Sequence, residues 1–473
     1  MRSHERLFSL LHLCLAPLLA VAVAQQHPQG VAASAEVCYW NFMPPDLTCP
    51  AVLAAERVVQ PVDESTASIE QIIVDDDDDD DDDEDDDEKE TQDEYRWDGP
   101  SGCVEQYCLY SNRGFASGRG IAVITTAASI ERVKFAGHLL LSQDLTSSGR
   151  RAGEPQPFYV SSVPGKGLGV IANATIPRGA TIMVHPPALL VHRAFLEDLP
   201  PDSSQAALLS AAAAALPART RAMVMDQMSH VPSEHRIAAI LATNSFQVSL
   251  GGASSSAAAA AEADAHHHYA NYPLVSRLNH DCRPNAAFHI SPATLLHTTT
   301  AAPASLAASA ISPSEEVTIS YLDPLAPRAE RRARARDAWG FACSCAQCRL
   351  PRAQADRSDA RLAEIQRVEA ALADLRPAPR DGERLEVVDA ALVERLLRLY
   401  RAERLGARVA GAYTLAALNF NLLGDAARAA EYARLAAEAA AREHGEEAPD
   451  VAAMKVLAED PRGHFTYRGR LTV

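Results

Sequence analysis

The sequence predicts an α+β protein. It has a core of short strands broken by a helical insertion, a cysteine-rich site closing that core, and an all-α C-terminal region. Three observations carry this. Glycines at 165, 167 and 169 lead into the strand-like pair Val170-Ile171 and not into a helix. Two cysteine motifs, Asn279-His280-Asp281-Cys282-Arg283-Pro284-Asn285 and Cys343-Ser344-Cys345-Ala346-Gln347-Cys348, bracket the strand-like Glu315-Glu316-Val317-Thr318-Ile319-Ser320-Tyr321. From residue 351 onward the chain turns rich in Ala, Leu, Arg and Glu, with apolar residues at helical spacing.

At 473 residues the chain has room for two or three domains with proper cores. Residues 1–24 read as a secretory signal: Arg2 and Arg6 give the positive start, residues 7–23 the apolar stretch, and Ala22-Val23-Ala24 the cleavage site. No further membrane span follows it. Residues 25–98 read as a disordered acidic linker. The net charge of −18 belongs to one tract in it, because removing the fourteen consecutive acids at 75–88 leaves 48 acidic against 44 basic residues. Such a run repels itself and stays solvated.

Residues 99–151 read as an N-terminal flank, with a strand at 121–126 and a helix at 129–141. The core spans 152–350 and holds an insertion at about 191–270. There Ser233 is placed to cap a helix whose Ile237, Ile240 and Leu241 form one apolar face. Residues 251–265 are an Ala/Ser/Gly linker, and His266-His267-His268 reads as a hydrophilic loop in preference to a metal site. Arg328, Arg331, Arg332, Arg334 and Arg336 read as a solvated helix face, and no nucleic-acid module is visible. In the helical region 351–473, Leu392, Val393, Leu396, Leu397 and Tyr400 repeat at helical spacing. Gly424-Asp425 is a helix stop followed by an N-cap.

Of nine cysteines, Cys14 falls within the signal. Cys38, Cys49, Cys103 and Cys108 precede the core as an even set, able to form two disulfides with three connectivities. A C-x-C-x2-C run cannot close a tetrahedral thiolate site alone, and Cys282 supplies a fourth ligand beside Cys343, Cys345 and Cys348. The competing reading is disulfides or free thiols.

In order, these motifs resemble those of the SET-domain protein lysine methyltransferases: the glycine-rich Val163-Pro164-Gly165-Lys166-Gly167-Leu168-Gly169, N-H-x-C-x-P-N, E-E-x-T-I-S-Y and the C-x-C-x2-C tail. The resemblance covers about residues 152–350 and implies the SET β-clip with a post-SET zinc site. The helical C-terminal region resembles a tetratricopeptide-type hairpin of the MYND-bearing branch, although the cysteine spacing before the core does not match a MYND module.

The resemblance implies methyl transfer from S-adenosylmethionine to a lysine amine of a protein or peptide. It assigns Lys166, Gly167, Leu168, Gly169, Asn279, His280 and Phe341 to the cofactor and Tyr321 to catalysis. Phe246, in Thr243-Asn244-Ser245-Phe246, and Trp339 fall to the target-lysine channel, and the four cysteines to Zn²⁺. Relatives often have tyrosine where Trp339 stands and glycine where Ser314 stands. The rival expectation is a catalytically silent SET scaffold that binds a partner through its channel and C-terminal helices. The signal implies the secretory pathway or extracellular space; with that signal unused, the nucleus or cytoplasm.

Overall fold

A computed structural model describes residues 96–141, 156–230, 235–250, 266–303, 305–306, 308–375 and 388–470. The signal, the acidic tract, Cys38, Cys49, Ser233 and the 251–265 linker lie outside them. In the flank, β1 (Cys103–Val104) and β2 (Tyr107–Asn112) form a hairpin whose register sets Cys103 opposite Cys108, and the two are disulfide-bonded. β3 (Ile121–Thr125) and helix α1 (Ala127–Leu141) follow at the expected places. The core begins with β4 (Phe158–Val163), β5 (Gly167–Ala172), β6 (Ile176–Pro177), β7 (Thr181–His185) and β8 (Leu189–His192).

The insertion carries α2 (Arg193–Glu197), α3 (Ser203–Ala215), α4 (Ala218–Met225) and α5 (Arg236–Asn244), then β9 (Ser245–Ser249) and β10 (His267–Asn271). The core closes with β11 (Asn279–His280), β12 (Ala286–Ile290), β13 (His297–Ala301), β14 (Ala310–Ile311), β15 (Glu316–Ile319) and α6 (Arg328–Trp339). The C-terminal region is α7 (Arg352–Ala373), α8 (Ala390–Glu403), α9 (Ala410–Leu422), α10 (Ala426–His444) and α11 (Pro449–Glu459).

Small twisted sheets make the core: a six-stranded one in the order β1-β2-β3-β8-β10-β9, a four-stranded one β11-β15-β5-β4, a three-stranded one β12-β13-β7, and the pair β14-β6. The flank is thus continuous with the core, because β3 pairs in parallel with β8. β3 is covered on both faces, so Ile121, Val123 and Ile124 are all buried. α3 packs on this sheet, capped by Asp202, which accepts from the N–H groups of Ser204 and Gln205. α5 buries Ile237, Ile240 and Leu241 as expected, but it starts at Arg236 with His235 at the cap position and no side-chain cap.

Two readings change. His266-His267-His268 is not a hydrophilic loop: His268 lies in β10, buried, bonded to Thr125 Oγ1 at 2.7 Å and to the His266 carbonyl at 2.7 Å. The basic helix α6 is not solvated throughout either. Arg331 is 1% exposed and donates to the carbonyl of Ala326.

In the C-terminal region Gly424 takes φ +80° and Asp425 caps α10 by accepting from the Arg428 N–H. Buried Ala429, Ala433, Ala436 and Ala437 let α10 lie close against its neighbours. Among the described residues no helix is long and apolar enough to cross a membrane.

Candidate functional site

The glycine-rich hairpin supplies the first wall of the site. Gly165 and Gly167 adopt φ of +76° and +78°, which turns β4 into β5. Gly169 has another purpose: a Cβ there would stand 2.8 Å from Asn279 Nδ2 and 3.0 Å from Glu316 Oε1. Its bare backbone admits the polar pair behind the hairpin. Asn279 Nδ2 donates to Glu316 Oε1 (2.9 Å) and to the Leu168 carbonyl (3.1 Å), leaving its side-chain oxygen for a ligand. Lys166 Nζ also binds Glu316, at 2.5 Å, so Glu316 joins the hairpin to β11.

The parallel pair β11–β15 sets Asn279 and His280 beside Thr318 and Ile319, and Tyr321 follows directly. The Tyr321 N–H donates to His280 Nδ1 at 3.1 Å, which leaves the proton of the neutral ring on Nε2, 3.4 Å from Cys282 Sγ. Burial holds the imidazole neutral, with its pKa lowered to about 4. Both ring nitrogens are thereby engaged within the protein, so the His280 ring offers a ligand no free nitrogen. The Tyr321 hydroxyl donates to the Leu278 carbonyl at 2.5 Å. Burial first, then the Glu316 charge, pushes this phenol far above its ordinary range.

At its end α6 delivers Trp339, Gly340 and Phe341. The Trp339 indole lies 5.4 Å from the Tyr321 ring and donates Nε1–H to the Thr243 carbonyl at 3.2 Å. Phe341 meets Tyr321 edge-on at 6.4 Å and His280 at 5.9 Å. Gly340 has φ +71°, and a Cβ on it would come within 2.8 Å of His230 Cβ.

These segments enclose a cavity of about 370 Å³, lined by Lys166, Gly167, Leu168, Asn279, His280, Tyr321, Trp339 and Phe341 among others. Recesses of about 810 and 450 Å³ lie against the C-terminal helices, and one of about 400 Å³ is lined by Asp281, Arg283, Asn285, Glu315 and Glu316, but none of these holds the residues assigned to cofactor, catalysis or channel. The site is therefore the cavity on which most of those residues converge. Gly169 sits behind its wall. Phe246 stands apart from it, in a cluster with Tyr272 (5.8 Å), Phe288 (5.3 Å) and His297 (4.9 Å), so it does not share a wall with Trp339.

His230, which no sequence signal marked, also lines this cavity. Thr243 gives its hydroxyl proton to the Ala239 carbonyl (3.0 Å), so its oxygen accepts from His230 Nδ1 (3.2 Å). The tautomer assigned from this network leaves His230 Nε2 as a buried acceptor with no partner among the described residues. Burial lowers its pKa and keeps the lone pair available. A cavity whose wall holds an unsatisfied acceptor fits a ligand bearing N–H or O–H donors.

Beneath the aromatic wall the four sulfurs of Cys282, Cys343, Cys345 and Cys348 lie buried within 4.8 Å of one another. Cys282 Sγ is 3.5 Å from Cys348 Sγ and 4.0 Å from Cys343 Sγ. Tetrahedral Zn–S bonds of about 2.3 Å place sulfurs roughly 3.8 Å apart, so the donor set fits that ion in both kind and spacing. Hydrogen bonds from the other three thiols push Cys345 far below the ordinary thiol range, while the same contacts hold Cys282 up. The buried Arg331 guanidinium lies near the cluster, where negative charge on Cys282 and Cys348 offsets the cost of its burial.

Comparison with known proteins agrees with this geometry. Residues 167–322 match the SET domain family. A stretch of 77 residues is 36% identical to a SET and MYND domain-containing protein of Dictyostelium discoideum, covering 16% of this chain and 20% of that relative. Over 86 residues the chain is 38% identical to the histone-lysine N-methyltransferase SMYD3 of Mus musculus and of Homo sapiens, 18% of each sequence. The chain thus spans about a fifth of the length of the curated relatives it matches.

Proposed function

We propose that this chain, whose residues 167–322 are a SET domain, transfers a methyl group from S-adenosylmethionine to the side-chain amine of a protein lysine. One observation carries the reading. The 165–168 hairpin, the Asn279-His280 strand and the Tyr321 and Phe341 rings converge on a single cavity beside four clustered cysteines. Zn²⁺ is the ion proposed for Cys282, Cys343, Cys345 and Cys348, where it would lock the two cysteine segments together and thereby fix Phe341.

S-adenosylmethionine supplies a sulfonium methyl that an uncharged amine can displace. The chain's own residues do the rest. The turn at Gly165 and Gly167 brings backbone close to the cavity, while Asn279 Oδ1 and His230 Nε2 offer acceptors to bound N–H or O–H groups. Phe341 presents a ring face on which a flat heterocycle can rest. Tyr321 keeps its proton on the Leu278 carbonyl, so its oxygen turns lone pairs toward the reacting groups and serves to orient them and not as a base. Trp339 and Tyr321 together form an apolar, water-poor wall that disfavours a charged lysine. Alignment of this kind contributes several kcal/mol, on the order of 7 or more in well-oriented systems.

The test is calorimetric titration of S-adenosylmethionine into the zinc-loaded chain, followed by mass spectrometry of candidate lysine peptides. Micromolar binding and a gain of 14 Da per methyl, as the chemistry requires (about one CH₂), are expected. A folded, zinc-loaded chain that does not bind the cofactor leaves the silent scaffold as the reading.

A further inference from the structure

Glu403, the last residue of α8, has a side chain only 1% exposed. Its Oε2 accepts from Arg283 Nη2 (2.8 Å), Ser358 Oγ (2.7 Å) and Gln347 Nε2 (3.2 Å), and its Oε1 from Arg361 Nε (2.6 Å). These donors come from distinct places. Arg283 follows Cys282, Gln347 lies between Cys345 and Cys348, and Ser358 and Arg361 are on α7. Arg283 does more than pair with the carboxylate. Its Nε caps the C-terminus of α8 at the Glu403 carbonyl, while Nη1 donates to the carbonyls of Cys282 (2.7 Å) and Pro324 (3.0 Å). One guanidinium thus holds both the segment carrying Cys282 and the segment that leaves Tyr321.

A buried ion pair is a weak source of net stability, since desolvation offsets most of its attraction. Its effect lies in geometry. From this convergence we propose that Glu403 is a positioning residue for the four-cysteine site. Through Arg283 and Gln347 it holds both cysteine segments in the register that brings their sulfurs together. The C-terminal helices are then part of the metal site's construction, and a partner that shifts α7 or α8 acts on the cysteine segments and on Tyr321 through Glu403. The inference rests on the zinc reading given above.

The experiment measures zinc release from the full chain to a chromophoric chelator, at a temperature well below unfolding. The variants are Glu403→Gln, Gln347→Leu and the double change Arg283→Met with Glu403→Met. Outer-shell partners of metal ligands typically govern about 10–100-fold in affinity, and faster release on that scale is expected for Glu403→Gln. Gln347→Leu, which keeps the ion pair, should show a smaller increase. The double variant removes both members of the fully buried pair but leaves Arg361, Ser358 and Gln347 without their carboxylate acceptor, so it melts earlier than wild type. Assayed where it is still fully folded, it releases zinc faster. Wild-type release from a folded double variant overturns the proposal, as does a Glu403→Gln chain that only melts earlier. A wild-type chain that takes up no zinc at all removes the metal reading itself, and this inference with it.

Discussion

The backbone N–H of Tyr321 is bonded to Nδ1 of His280, and the opposite nitrogen of that same ring faces Cys282 Sγ. One imidazole therefore spans the catalytic candidate and a metal-ligand candidate. His280→Ala removes both contacts at once. We expect zinc affinity to fall about 10–100-fold together with cofactor affinity, read by metal analysis and calorimetry on the same preparation. Loss of cofactor binding at full zinc content and unchanged zinc release would instead assign the ring to the ligand alone.

Tyr321→Phe keeps the ring packing against Trp339 and Phe341 and deletes only the hydroxyl. The expected result is a kcat lower by about 10²–10³-fold, the usual scale for one oriented polar group at a reacting centre, with cofactor affinity within about threefold. The folded phenol lies far above its ordinary range, so it stays protonated across the working pH. A rise of rate with pH therefore reports deprotonation of the target lysine, and it should persist in the variant's residual activity. A pH profile that flattens in Tyr321→Phe would make the hydroxyl a base.

How far the site could be read from the sequence depended on whether a residue acts through its neighbours in the chain. Gly165, Gly167, Asn279, Tyr321 and the four cysteines belong to short segments whose spacing states their chemistry, and the cavity and the sulfur cluster assemble from them. His230, Arg331 and Glu403 gave no such signal. Each reaches its place by tertiary packing: His230 from beyond α4, Arg331 from a helix that looked wholly solvated, Glu403 from the far end of the chain. The strand and helix of the flank were legible, but the pairing of β3 with β8 is a long-range event that no local pattern states. Phe246 shares a segment with Thr243 but, two places after Asn244 and on a strand, it points into a different cluster.

His230→Leu tests the unsatisfied acceptor. The ring sits against Gly340, and Nε2 has no partner among the described residues, so the substitution removes this acceptor at the cost of the single bond between Nδ1 and Thr243. Loss of a buried hydrogen bond on the order of 1–2 kcal/mol predicts about 5–30-fold weaker S-adenosylmethionine binding. Because burial lowers the His230 pKa below its ordinary value, wild-type affinity should be flat around neutrality and fall only on acidification, when Nε2 gains a proton. The variant should lack that fall. Equal affinities in both proteins by calorimetry would show that no ligand donor reaches Nε2.

Acid sensitivity of the fold should come in part from His297. The ring is fully buried, stacked on Phe288 at 4.8 Å, and its Nε2 has no partner among the described residues. Burial, with His185 across the strand pair and His289 nearby, lowers its pKa to about 3. An unfolded histidine titrates near ~6.5. Between these values the unfolded chain binds the extra proton, so the stability from the neutral ring is present above ~6.5 and is lost as pH falls toward 3. The loss approaches about 1.4 kcal/mol per pH unit for one such group. His297→Leu deletes the titration. It also trades a ring stack worth about 0.5–1.5 kcal/mol for relief of a buried unpaired nitrogen worth about 1–3 kcal/mol. Urea unfolding at pH 7 should therefore give the variant a stability equal to or slightly above wild type. At pH 5 the variant should be ahead by a further ~2 kcal/mol, about 1.4 kcal/mol for each unit below 6.5. Parallel losses in the two proteins between pH 7 and 5 would mean that the ring is protonated, or reached by water, in the folded state.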